Sequence, residues 1–440
     1  LTAGDFNVDG EIDLAVSASG YSSDTGRAYI FYNGSIITEN ASGADVIITG
    51  ETTSNFFGIS LTAGDFNADG RVDLAVGAYN YSSNTGRVYL FNNGSITTEN
   101  ASGADTIITG EASVNYFGTS LTAGDFNADG KVDLAVGANN YSTQTGRVYI
   151  FYSGSIITEN ASGADIIITG TGTFTYFGTS LLSGDWNGDG RTDLAVGAFD
   201  VGISSSSVFI FYNDGSIPTT ATTADITITQ EATSNYFGSA LATVDMNGDG
   251  RTDLIVGAYG NSTSTGKVYF YETRENFAWQ IQKQFGSAPR TSLNTSGQEL
   301  QITGETGTSF GTALTAGDWN ADGKIDLAIG AYNYSSQLGR TYLFYNDGSL
   351  ATGASNADII ISGESTANLF GWFLASGDWN ADGKTDLAVS ARGYTSDTGR
   401  TYLFYNDGSL PTTAATADVI ITGETTSNYF GQSLVSGDFN

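Results

Sequence analysis

The chain contains no cysteine and no histidine. That excludes zinc sites built from those residues, cysteine nucleophiles and serine–histidine–aspartate triads. Proline is confined to Pro218, Pro289 and Pro411. Basic residues are scarce, 16 against 47 acids, for a formal net charge of −31. So acidic a surface argues against nucleic acid as a partner. No apolar run reaches the roughly 18 residues that a spanning helix requires, so no membrane span is expected. Glycine is abundant instead, at 58 residues, and 40% of the chain is hydrophobic. A chain of this kind folds and turns often.

One nine-residue pattern, D-x-N-x-D-G-x-x-D, occurs seven times, and its first three residues occur an eighth time at Asp438, Phe439 and Asn440. The spacing is 60 residues, with one gap of 73. The pattern is a row of oxygen donors. Positions one, three, five and nine offer side-chain oxygens and position seven a backbone carbonyl, while the glycine at position six allows the sharp turn that gathers them. The candidate ligands are Asp5, Asn7, Asp9, Glu11 and Asp13; Asp65, Asn67, Asp69, Arg71 and Asp73; Asp125, Asn127, Asp129, Lys131 and Asp133; and Asp185, Asn187, Asp189, Arg191 and Asp193. The series continues with Asp245, Asn247, Asp249, Arg251 and Asp253; Asp318, Asn320, Asp322, Lys324 and Asp326; and Asp378, Asn380, Asp382, Lys384 and Asp386.

Calcium takes six to eight hard oxygens in flexible geometry, whereas magnesium demands strict octahedral sites. About seven structural calcium ions are therefore expected. The first half of each loop mimics an EF-hand, but Val76 stands where that loop needs a bidentate glutamate, and a strand rather than a helix follows. Ordinary Asp/Asn/Gly turns are the plainer reading of any single copy. Seven copies with all four side-chain donors retained argue against it.

Residues 57–117 serve as the unit. Phe57–Gly64, Leu74–Ala78, Arg87–Phe91 and Ala104–Gly110 read as four short strands separated by turn chemistry, and nothing sustains a helical period. Four strands repeated seven times predict an all-β, seven-bladed β-propeller over residues 1–440, with four antiparallel strands per blade and the calcium loop between the first and second. An open stack of the same units is the alternative.

The pieces F-G, G-D-x-N-x-D-G-x-x-D-L and V-G-A carry a resemblance to the FG-GAP repeats of the integrin α-subunit head. The F-G pairs begin at Phe57, Phe117, Phe177, Phe237, Phe310, Phe370 and Phe430, and Val76-Gly77-Ala78 is one of five V/I-G-A elements; Ser17 and Ser390 replace the glycine in the first and last repeats. The resemblance implies a seven-bladed propeller with calcium in the loop between the first two strands. Because such repeats also occur in surface proteins, lectins and some lyases, it does not by itself imply adhesion.

Where repeats differ, function is expected. The fifth carries an insertion near 272–298, in which Phe277, Ile281 and Phe285 fit a short amphipathic helix. The fourth replaces the T-G-R turn with Ser204–Ser207. Twelve of the 16 bases recur at loop position seven or at the start of the third strand, where they are expected to offset the acidic loops. Sequons at Asn40, Asn80, Asn100, Asn140, Asn160, Asn261, Asn294 and Asn333 mostly reflect a Ser/Thr/Asn-rich composition. Leu1–Asn7 and Leu434–Asn440 share one phase of the repeat, so the terminal strand either closes its own ring or pairs with another copy, and the chain reads as an excerpt of a longer array. The leading functional expectation is a non-enzymatic, calcium-stabilised extracellular scaffold or adhesion protein with protein partners or self-association, in one form a filament unit. A glycan-binding lectin using Tyr116, Tyr176 or Tyr236 is the alternative, and a lyase or phospholipase-type enzyme the third.

Overall fold

Seven small antiparallel sheets stand in a ring, one per repeat. The structure, a computed structural model, describes residues 3–34, 36–94, 96–199, 206–230, 235–246, 251–260, 264–272, 292–294, 300–347 and 350–435. In the second blade the strands are Ser60–Gly64, Asp73–Ala78, Arg87–Phe91 and Thr106–Thr109, paired in that order from channel to rim. No element is a helix longer than one turn among the described residues.

Alternation along each strand explains the packing. Leu74, Val76 and Ala78 share a cluster with Ala15, Ala28 and Ile30 of the first blade. Ala75, Val88 and Leu90 share another with Leu134, Val136 and Tyr149 of the third. Each blade thus buries both faces, as the period of two demands. The ring closes by the same means, because Leu14, Val16 and Tyr29 pack with Trp379, Leu403 and Ile421 of the seventh blade. Gly77 marks the close approach of neighbours, since a Cβ there would lie 2.2 Å from the Gly118 carbonyl oxygen.

The inner strand of the first blade is composite. Phe430–Val435 pairs with Asp13–Ala18 through Ala15, Val16 and Ala18, and Ala3–Gly4 continues the same edge against Leu14 and Asp13. Within this chain the terminal strand thus completes the ring at the first blade, the first of the two pairings its repeat phase allowed.

Two further devices tie blade to blade, and neither was expected from the sequence. Glu99–Asn100, in the excursion between the third and fourth strands, pairs in parallel with the outer strand Val46–Thr49 of the preceding blade. The clasp recurs around the ring and ends with Asn40 against Thr422. In the fifth blade Ser292–Asn294, within the insertion, takes that role against Ile226–Thr229; the expected helix at 277–285 lies outside the described residues. Six of the sequon asparagines make contacts of this kind. Asn40, Asn100 and Asn160 donate their amides to the carbonyls of Gly423, Gly50 and Gly110, and Asn80, Asn140 and Asn333 donate to Ser54, Val114 and Gly307.

The second device corrects the expectation for the third-strand bases. They do not face the acidic loops but sit at the other end of the blade. Arg147 stacks 3.7 Å over the Tyr141 ring, donates Nε to Thr169 Oγ1 and pairs through Nη1 with Glu111, which follows the outer strand of the preceding blade. Arg27–Glu424 closes the series. In the fourth blade Ser207 replaces the arginine, Thr171 the glutamate and Val201 the tyrosine, so the whole unit is lost together. Such half-buried, charge-assisted pairs contribute on the order of 1–2 kcal/mol. A double-mutant cycle on Arg147→Ala and Glu111→Ala, read by urea denaturation, is expected to give a coupling of about 1 kcal/mol. Additive effects would reduce the contact to geometry without energy.

Candidate metal centre

Each acidic loop joins the first two strands of its blade, so all lie on one face of the ring. In the second blade Asp65 accepts from the backbone N–H groups of Asp69 and Gly70 at 2.9 and 2.8 Å. Asn67 Oδ1 also accepts from Asp69 N–H at 2.8 Å, and Asp69 Oδ1 accepts from Arg71 N–H at 3.0 Å. These side-chain-to-backbone bonds fold nine residues into a tight loop, with Gly70 at φ +85°. The same bonds recur at Asp5, Asp125, Asp185, Asp318 and Asp378. In the fifth loop Asn247 and Asp249 lie outside the described residues, as does the partial motif at 438–440.

Position nine differs from the others. Asp73 is fully buried, and its two oxygens accept from Phe66 N–H and Asn93 N–H at 3.0 and 2.8 Å. It therefore ties the loop to the turn after the third strand. Asn93 Nδ2 in turn donates to the Asp5 carbonyl of the preceding blade at 2.7 Å. Ser153, Asn213, Asn346 and Asn406 repeat that link between neighbouring loops. Burial pushes these carboxyls up, and the neighbouring loop aspartates add to it, while the backbone donors pull the other way. Asp73 and Asp133 rise to about 6, and Asp13, Asp193 and Asp386 to about 7.

At position seven, Lys324 and Lys384 send Nζ to the carbonyls of Asn346 and Asn406 at 3.1 and 3.0 Å. Lys384 Nζ also lies 3.5 Å from Asp382, so there the base does offset the loop. Another group of acids is spent on the fold. Asp45, Asp105, Asp165, Asp358 and Asp418 each accept from the backbone N–H just beyond the third strand.

Among the described residues no three acidic side chains converge tightly enough to hold an ion as they stand. The donor set nevertheless suits a hard cation. All its atoms are oxygens, each ionised carboxylate keeps lone pairs beyond those its N–H donors use, and Asp65 and Asp69 bear electrostatically on the buried Asp73. The position-nine side chain has a structural duty of its own, which separates two substitutions. Asp133→Ala is expected to cost about 2–4 kcal/mol with or without metal, because it strands two buried N–H donors. Asp129→Ala, at an exposed position, is expected to leave stability in chelator within about 0.5 kcal/mol. Chemical denaturation of both variants in chelator checks this; equal losses would deny position nine its separate role.

The geometry defines a seven-bladed β-propeller built from repeats with an acidic loop in each blade. Residues 57–91, 117–151, 177–207, 237–271 and 370–404 match the FG-GAP repeat family. The chain is 32% identical over 225 residues to integrin alpha-5 of Xenopus laevis, covering 48% of this chain and 20% of that protein. It is 31% identical over 263 residues to integrin alpha-PS2 of Drosophila melanogaster, 55% of this chain and 18% of the relative. It is 28% identical over 367 residues to the human phosphatidylinositol-glycan-specific phospholipase D, 76% of this chain and 43% of that protein. The matches thus span less than half the length of these relatives. The chain is a seven-bladed propeller that carries FG-GAP repeats and is similar to integrin α subunits over about half of its length.

Proposed function

We propose that the protein is a non-enzymatic, extracellular scaffold of adhesion type, stapled by about seven calcium ions, one in each blade loop. The observation that supports it most is the repetition of one oxygen-donor loop on one face, each loop anchored to a buried aspartate. Extracellular sites of this class bind calcium at roughly 0.1–1 mM, which fits a compartment rich in calcium and not the cytosol. The integrin relatives favour protein partners. With Phe430–Val435 used inside its own ring, self-association into a filament would act through surfaces other than strand exchange. Electron microscopy at high protein concentration in millimolar calcium tests this; monomers alone would count against the filament.

A lectin is the second reading. A cavity of about 540 Å³ opens between loops of the third blade, lined by Val114, Asn140, Tyr141, Gln144 and Phe174 among others, with Val114 and Phe174 exposed. A glycan array separates this reading from the first. Among the aromatic residues singled out in the sequence, Tyr116 meets Tyr79 edge-on and Tyr236 stacks on Tyr259, which is packing. The phospholipase relative makes lipid-phosphodiester hydrolysis the third, weaker reading, since no acid pair stands apart from the repeats.

A further inference from the structure

Arg392 breaks the pattern of the basic residues. Apart from Arg274, Lys283 and Arg290 in the insertion, it is the one base outside the two repeat positions. It follows the second strand of the seventh blade, Asp386–Ala391, at the end of the ring opposite the acidic loops. Its guanidinium lies 3.8 Å over the Trp372 ring and 5.0 Å from that of Tyr429, and Nη1 donates to Gln432 Oε1 at 2.7 Å. Nε is buried without an acceptor among the described residues. Burial pushes the guanidinium's pKa down, and Asp397, which bears on it from a distance, forms no ion pair with it. A desolvated guanidinium with no carboxylate partner is costly, and Arg recovers most from a planar, bidentate anion.

The surroundings also break the symmetry. Trp372 and Gln432 occupy the strand position that places Ile59, Thr119, Thr179, Ser239 and Thr312 on the wall of the central cavity. The equivalent of the Arg392–Gln432 contact in the third blade is merely Asn139 to Thr179. Phe373, next to Trp372, lines the cavity directly where most blades carry Ser or Ala. The cavity measures about 500 Å³, and no charged side chain among the described residues lines it. The Trp372–Arg392–Gln432 cluster does not line the cavity itself but adjoins it through Phe373 and Ser433, the chain neighbours of Trp372 and Gln432 that do.

We propose that this end of the cavity, at the junction of the seventh and first blades, binds a sugar acid of the uronate type, with Arg392 taking the carboxylate, Gln432 and the accepting Thr312 hydroxyl the ring hydroxyls, and the Trp372–Phe373 cluster the sugar face. The volume lies within the range of small-ligand sites and suits one or two sugar rings rather than a folded partner. The net charge of −31 repels an acidic protein surface more than a single carboxylate. The site is far from the calcium loops and does not depend on the reading of them.

Titration calorimetry with D-glucuronate, D-glucose and N-acetyl-aspartate amide, on the whole chain in millimolar calcium, tests the assignment. Saturable binding of glucuronate is expected, at least about tenfold weaker for glucose and for the Arg392→Gln variant. Gln432→Ala, which leaves the stacked guanidinium in place, is expected to weaken it several-fold, and the melting transition of each variant is recorded alongside. Absence of saturation by glucuronate, undiminished binding by a folded Arg392→Gln variant, or tighter binding of the aspartate probe would each overturn the proposal.

Discussion

Chelating calcium is expected to lower the melting temperature by several degrees and at most about 10 °C. At about 1 mM free ion and dissociation constants of roughly 0.1–1 mM, each site adds roughly 0.4–1.4 kcal/mol. Seven such sites sum to roughly 3–10 kcal/mol. For a cooperative unit of 440 residues, about 1 kcal/mol corresponds to about 1 °C. The apo loops also repel internally, since like charges about 4 Å apart cost about 4 kcal/mol at an effective dielectric near 20. Calorimetry with and without excess chelator reads the shift. An unchanged melt would remove calcium from the account of stability.

Removal of the closing strand is expected to have the second large effect. A chain ending at Tyr429 loses the pairing of Phe430–Val435 with Asp13–Ala18. It also loses the fully buried Phe430 ring, which meets Tyr29 edge-on at 5.4 Å. The aromatic residue alone is worth about 3–5 kcal/mol, and the opened ring presents an unpaired strand edge prone to association. The truncated chain is expected to aggregate or melt on the order of 10 °C lower. The milder Phe430→Ala is expected to remain monomeric and melt about 3–5 °C lower. A truncated chain that stays monodisperse and melts like the intact one would show that the ring does not need this closure.

Much of the propeller was legible because its signals are local. Leu74-Ala75-Val76-Gly77-Ala78 alternates large and small residues, and each large one points to one neighbouring blade. The tight turn at Asp65, Asn67 and Asp69 was legible for the same reason, since a nine-residue loop carries its own hydrogen-bonding chemistry. Devices that join distant residues left no local trace. Glu99–Asn100 is a strand of two residues, too short for any period, and its partner lies some 50 residues away. The Arg147–Glu111–Tyr141 unit spans two blades, although the joint loss at Ser207, Thr171 and Val201 was a readable clue. The double duty of Asp73, buried staple and candidate ligand, needed the position of Asn93 to be seen. Arg392 was not singled out in the sequence: setting aside the twelve periodic bases leaves it with Arg274, Lys283 and Arg290, and only its burial against Trp372 distinguishes it.

The most direct test of the calcium-stapled ring is a count of bound ions by equilibrium dialysis and elemental analysis at millimolar calcium. About seven calcium ions per chain are expected from the seven complete loops, falling by one in Asp129→Ala. A folded protein that retains none, or a count that Asp129→Ala leaves unchanged, would contradict it.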